Sequence, residues 1–415
     1  MRSYRSLFRT PEFTPFLLSF GASAAAQTIG GLALGTLVYR ATGSPLLSAL
    51  SMFGQQLAQL LGGLFLLSGS DRLPPRTALS AISLAFAAGT AVLALPALPI
   101  WAVFAVLLAQ GLVASLGAGV RGGLLNEILT KDGNNGYVLG RSVYNMLWGL
   151  VQITGFAAGG VLLAVLSART CLLLAAALYA VAALVNHLGL RARPPRATGR
   201  PSVAATWRTN AILWSSRPRR LAYLGLWVPN GLIVGSDSLY VSYAPHAAGT
   251  LYAFGALGMF LGDLTVGRLV PPAVRPRLAT PLRLLLAAPY LFFFLRPSLA
   301  LSAVAVTVAS VGFAASLVLQ ERLMSVTPER LTGQALGLHS TGMVALQGIG
   351  AALAGTLAQL TSPATAMTLM AAGSVAVTLT LSALGKREER RPGVGGDGED
   401  GAAGVLGVAD VDGRG

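Results

Sequence analysis

Residues 170–190 read TCLLLAAALYAVAALVNHLGL, and residues 191–220 read RARPPRATGRPSVAATWRTNAILWSSRPRR. The first run has no Asp, Glu, Lys or Arg. Its length is that of a helix crossing the ~30 Å hydrocarbon core, which takes about 20 apolar residues. The second run holds eight arginines and no acid. An apolar run ending on an arginine-rich connection marks a membrane boundary with its basic side in the cytoplasm.

The same alternation extends outward over all 415 residues. Hydrophobic residues make up 54% and charged residues only 11%, against about 25% charged in a soluble domain. The expected spans of the first half are 13–38, 46–67, 77–97, 99–120, 138–165 and 170–190. Those of the second half are 221–243, 247–269, 279–295, 298–319, 333–360 and 363–384. Runs this long exclude a β-barrel, whose strands have about 9–11 residues. The fold class expected is an all-α membrane protein with twelve transmembrane helices. Leu95-Pro96-Ala97-Leu98-Pro99 reads as a short turn between two of them, and Pro289 should kink the ninth. The first span follows Arg2, Arg5 and Arg9 and has no cleavage signature, so it reads as a retained helix.

Charge fixes the expected orientation. With the N-terminus in the cytoplasm, 27 of the 30 basic residues fall on the cytoplasmic side. Only Arg40, Arg169 and Arg296 fall outside. This bias favours an even number of spans with both termini cytoplasmic. The chain divides into a bundle over 1–190, a basic cytoplasmic linker over 191–220, a bundle over 221–384 and a disordered tail over 385–415. Within the linker, Trp207, Ile212, Leu213 and Trp214 suit either a helix on the surface of anionic lipid or a solvated tether.

The net charge of +15 first suggests nucleic acid. Its confinement to connections between apolar spans, with no basic folded face, argues against it. Cys171 is the only cysteine and sits in an apolar run, so no intrachain disulfide forms and no metal cluster is expected. No cofactor is expected either. The three histidines are far apart. That speaks against an intramembrane enzyme, and a sensor would need a folded output domain. His187 and His339 read as interfacial.

The halves repeat each other. Leu125-Asn126-Glu127-Ile128-Leu129 matches Leu319-Gln320-Glu321-Arg322-Leu323, and Gln152, Gly155 and Gly160 match Gln347, Gly350 and Gly355. Phe53-Gly54 returns as Phe254-Gly255, and Arg72-Leu73 as Arg268-Leu269. A near-constant offset implies two pseudo-symmetric six-helix bundles in parallel orientation, with substrate between them near the midplane.

Two motifs carry a family resemblance. Gly69-Ser70-Asp71-Arg72-Leu73-Pro74-Pro75-Arg76 resembles the loop G-x-x-x-D-R-x-G-R-R of the major facilitator superfamily. Asp71, Arg72 and Arg76 fit it, while Leu67 takes the first glycine and Pro74 and Pro75 replace the second glycine and a basic residue. Gly155-Phe156-Ala157-Ala158-Gly159-Gly160 resembles the exporter motif G-P-x-x-G-G, with Phe156 in place of proline. Small residues there let helices approach closely, here at Gly155, Gly159 and Gly160. The stretch from Leu7-Phe8-Arg9 to Ser44-Pro45 is similar to that of bacterial multidrug-exporter-like members. Such members often have an acid midway along helix one, where this chain has Gln27. The resemblance implies alternating access in a bacterial cytoplasmic membrane. The Asp71 loop would latch the inner side. A small molecule would be the cargo, protons the coupling ion and a monomer the working unit.

Acids inside spans are functional candidates by default. Only Asp237 and Asp263 qualify. Tyr223, Asn230 and Asp237 recur every seven residues and share a helical face with Trp227. That stripe suits a substrate surface, with Asp237 taking a proton or a cationic group in turn. Its rival reading is a hydrated acid at the membrane boundary. Asp263 lies five residues before Arg268 and reads as half of a gate pair. Gln110, Asn145, Gln152 and Gln347, with Gln55 and Gln59, complete the polar set. Each alone is more often an interhelical hydrogen bond. The function expected is proton-coupled efflux of a small amphipathic molecule. The alternative is an importer or facilitator of a neutral one.

Overall fold

The computed structural model describes residues 8–65, 73–130, 137–195, 203–271, 273–328 and 331–389. All regular elements among them are helical. They are α1 (Phe13–Thr42), α2 (Pro45–Phe65), α3 (Pro75–Leu93), α4 (Ile100–Thr130), α5 (Tyr137–Val165) and α6 (Ala168–Gly189). A linker helix, α7 (Val203–Ser215), precedes α8 (Arg217–Asp237) and the single turn α9 (Tyr240–Tyr243). Then come α10 (Ala248–Leu264), α11 (Arg275–Ala287), α12 (Leu299–Val311), α13 (Ala315–Ser325), α14 (Thr332–Leu360) and α15 (Pro363–Glu389). Nine helical rods among the described residues are long and apolar enough to cross a membrane.

Helix ends follow local chemistry. α1 stops at Gly43, whose φ of 63° suits glycine and whose N–H caps the Tyr39 carbonyl. Ala94–Pro99 forms the expected turn, with Ala97 at φ 59°. At Pro289 the helix changes type. The proline's missing donor breaks the α-helical ladder, and α11 continues as a tighter 3-10 segment over Ala288–Leu295. α10 ends instead in a wider π-turn over Thr265–Leu269. α4 outruns its expected end by ten residues because Leu124, Leu125, Ile128 and Leu129 pack into a core with Phe13 and Phe16.

Within the first six helices α1 packs on α5 and α6, and α2 on α4; in the later group α8 packs on α14 and α15, and α10 on α12. The main pairings that join the groups are α2 with α14 and α5 with α10, with smaller contacts of α9 on α1 and α2. Small residues permit both main pairings. A Cβ on Gly160 of α5 would stand 2.5 Å from the Gly249 Cα of α10. A Cβ on Gly348 would stand 2.7 Å from Leu57, and one on Gly355 2.8 Å from the Leu46 Cα. The Gly348–Leu57 contact lies near mid-height, and the Gly160 and Gly355 contacts lie toward the end of the bundle remote from the linker. There Ser44 also bonds Gln359 at 2.9 Å, and Tyr39 reaches the Ser242 carbonyl at 3.4 Å.

At the linker end Glu12 is buried. It accepts from the Arg191 N–H at 2.6 Å and pairs with Arg193. Arg193 also reaches Glu127 at 3.7 Å. Glu12 precedes the first expected span by one residue, so hydropathy alone does not mark it. Glu12→Ala leaves the half-buried Arg193 guanidinium without its main partner, a loss of about 1–3 kcal/mol. Thermal unfolding in detergent should drop accordingly, and Arg193→Ala should add little to it in the double variant.

Latch-loop residues Asp71 and Arg72, like the tail beyond Glu389, lie outside the described residues. Arg76 is within them and meets the His187 ring at 3.4 Å.

Candidate substrate and coupling site

Asp237 ends α8, and three helices deliver tyrosines to it. Tyr240 on α9 donates to its Oδ1 at 2.7 Å, and Tyr290 on the 3-10 continuation of α11 donates to the same atom at 2.6 Å. Tyr252 on α10 donates to the Asp237 carbonyl at 2.8 Å. All four residues are buried. No basic side chain pairs with the carboxylate, and its Oδ2 has no hydrogen-bond partner among the described residues. This burial speaks against a freely hydrated acid. A buried carboxylate without a counter-ion is expensive in a membrane bundle. It can relieve that cost by taking up a proton or a cation.

The site also touches the first six helices. Phe156, standing where the exporter motif has proline, stacks on Tyr252 with ring centres 4.7 Å apart. Met52 offers its sulfur to the Tyr252 hydroxyl at 3.6 Å. Asp237 thus sits behind the surface where α2 and α5 meet α10. Just beyond α9, a cavity of about 360 Å³ opens among Ser242, Tyr243, Arg296, Ser302 and Ser362.

The rest of the α8 stripe faces α14. The Tyr223 hydroxyl donates to the Ala335 carbonyl at 3.3 Å. The Trp227 indole N–H reaches the His339 carbonyl at 3.1 Å and its ring Nδ1 at 3.3 Å. Gln347 donates to Asn230 at 3.1 Å, so two of the polar candidates do meet. Trp214 of the linker helix stacks over Trp227 and Tyr223 with ring centres 5.7 and 6.0 Å away. The stripe is therefore occupied by packing, apart from Asp237. His339 is buried.

Other candidates scatter. Gln27 is exposed. Gln110 is buried and spends its amide on the Phe86 carbonyl and Thr90, both at 3.3 Å. The side chains of Asn145 and Gln152 lie outside the described residues. Gly155 faces Thr28 of α1, Gly159 faces Ile29 and Leu32, and Gly160 meets Gly249. Asp263 and Arg268 are both exposed and form no ion pair with each other. Arg275 instead bridges this corner, pairing with Glu321 at 2.8 Å and donating to the Gly267 and Val270 carbonyls.

The family model of the Major Facilitator Superfamily matches residues 16–324. No curated protein matches the chain by sequence. Among solved structures, it is similar to the nucleoside transporter NupG. The identity is 14% and the TM-score 0.66, covering 89% of this chain and 99% of that one. It is also similar to a bacterial homologue of the human lysosomal transporter Spinster, inward-facing and unoccupied. Here the identity is 14% and the TM-score 0.66, with 90% and 96% covered. A peptide transporter of the POT type, in complex with sulfate, gives 15% identity and a TM-score of 0.67, with 91% and 94% covered.

Proposed function

Since the chain belongs to the Major Facilitator Superfamily, we propose that it is a proton-coupled secondary transporter exporting a small amphipathic molecule, with Asp237 as its coupling acid. It is a multi-pass membrane transporter rather than an enzyme. The finer reading has twelve spans in two six-helix bundles, over 1–190 and 221–384, joined by the basic linker. It places both termini in the cytoplasm of a bacterium and the working unit as a monomer.

The observation that carries the coupling is the Asp237 carboxylate, buried without a cation among the described residues, where tyrosines and both helix groups converge. In the proposed orientation the described contacts between the groups seal the outer side, so this conformation faces inward. Rocking that parts α2 from α14 and α5 from α10 would remove Phe156 and Met52 from Tyr252 and open Asp237 outward. Proton exchange then follows the same motion that moves the substrate. Export as the direction rests on the resemblance around Gly155–Gly160 to exporters.

Everted vesicles with an imposed pH gradient test the reading. Acidifying the lumen should drive uptake from a panel of amphipathic cations and neutral drugs, and an uncoupler should stop it. Uptake that ignores the gradient would remove proton coupling. Uptake only in right-side-out vesicles would reverse the direction.

A further inference from the structure

The charge pattern puts Arg283 with the inner connection. The structure places it two turns inside α11, which begins at Arg275, and buries it to 6% exposure. Its bonds all go to neutral oxygens. Nε donates to the Ala279 carbonyl at 3.2 Å, and Nη2 donates to Ser382 at 3.2 Å and Thr280 at 3.4 Å. It forms no ion pair among the described residues. Nη1 has no hydrogen-bond partner there. It lies over bare backbone on α8, for a Cβ on Gly225 would stand 2.9 Å from it.

That nitrogen borders a cavity of about 10 Å³ between α8, α11 and the α12–α13 rod, lined also by Pro229, Asn230, Phe313 and Ser316. Such a volume admits about one water-sized group. No acid lines it. Asn230 accepts from Gln347 through Oδ1, which leaves its Nδ2 to donate. An arginine stays charged in a protein, and a buried cation without an anion is costly. An unpartnered guanidinium N–H beside an acid-free cavity that Asn230 also lines is a donor for a small anion.

We propose that Arg283, in the cavity that Asn230 also lines, binds a small monovalent anion, a halide or a carboxylate group no larger than formate. The site is separate from Asp237. Gly225 and Asp237 are twelve residues apart on α8, about 18 Å at 1.5 Å per residue.

The test is thermal unfolding of the purified full chain in detergent, at constant ionic strength, with sodium chloride or sodium formate replacing sodium sulfate. Wild type should be stabilised by at least one of the two, saturably. Arg283→Met should lose that response. Gly225→Ala, which keeps the arginine but crowds Nη1, should weaken the apparent affinity about tenfold, the effect of ~1.4 kcal/mol. A response to formate alone identifies the carboxylate group, and one to chloride alone a halide. If Arg283→Met does not fold, Gly225→Ala and Asn230→Leu decide by the same readout. A wild type indifferent to chloride and formate, as a merely water-filled cavity predicts, overturns the proposal. So does an equal response in wild type and the variants.

Discussion

Gly249→Val is expected to cut transport about ten- to hundredfold while leaving the protein folded. The residue sits where α10 meets α5, and a side chain there would enter the Gly160 backbone, since even a Cβ on Gly160 reaches 2.5 Å from the Gly249 Cα. Neither partner has a flexible tip that can swing aside. The helices must separate, and overpacking of this kind costs about 1–3 kcal/mol. Each ~1.4 kcal/mol is tenfold in an equilibrium. The penalty falls only on the state in which this end is sealed, so it biases the protein towards the opposite opening. Two measurements check it. Initial rates of transport should drop. A thiol probe on Ala244→Cys, in a Cys171→Ser background, should react faster from the far side than in the parent. Unchanged rates and unchanged labelling would mean that the Gly160–Gly249 seal is dispensable.

The second large effect is expected at Asp237. Asn is nearly isosteric, and its amide oxygen can still accept from Tyr240 and Tyr290, which now reach Oδ1 at 2.7 and 2.6 Å. Only the ability to gain and lose a charge disappears. Gradient-driven flux should therefore fall at least about tenfold, while substrate counterflow without a gradient persists near the parent rate. Tyr290→Phe removes one hydrogen bond to a charged group, a contribution of about 1.5–3 kcal/mol. It should lower driven flux less completely, with counterflow again preserved. A variant Asp237→Asn that still concentrates substrate against its gradient would remove this carboxylate from the coupling role. Loss of counterflow together with driven flux would assign Asp237 to substrate binding.

The rods themselves were legible because hydrocarbon thickness writes their length into the chain. The run 170–190 became α6, Ala168–Gly189, and the proline at 289 marked the change of helix type. Asp237 was legible as a lone acid in an apolar setting. Its tyrosines were not. Tyr240, Tyr252 and Tyr290 belong to three separate helices, and no spacing along the chain relates them. Arg283 escaped because an arginine near a span boundary reads as topology, although this one is buried. The expected Asp263–Arg268 pair failed on geometry. Five residues advance an α-helix by about 500°, which leaves the side chains about 140° apart, and the π-turn over Thr265–Leu269 re-aims the second. Arg275, further along, closes that corner on Glu321 instead.

The linker is fastened at both ends. Arg191 and Arg193 hold Glu12 of the first group. On the other side Arg219 donates to the Ile212 and Leu213 carbonyls and Gln334 of α14 holds Asn210, fixing α7 to the second group. From Arg193 to Val203, the first residue of α7, is a step of ten residues, and ten residues reach at most about 33–36 Å. That length is an upper limit on how far apart these two points can move if the linker-side mouth opens. Shortening it by a few residues is expected to slow transport of the bulkiest molecules first, which initial rates over a size series of cargo would check.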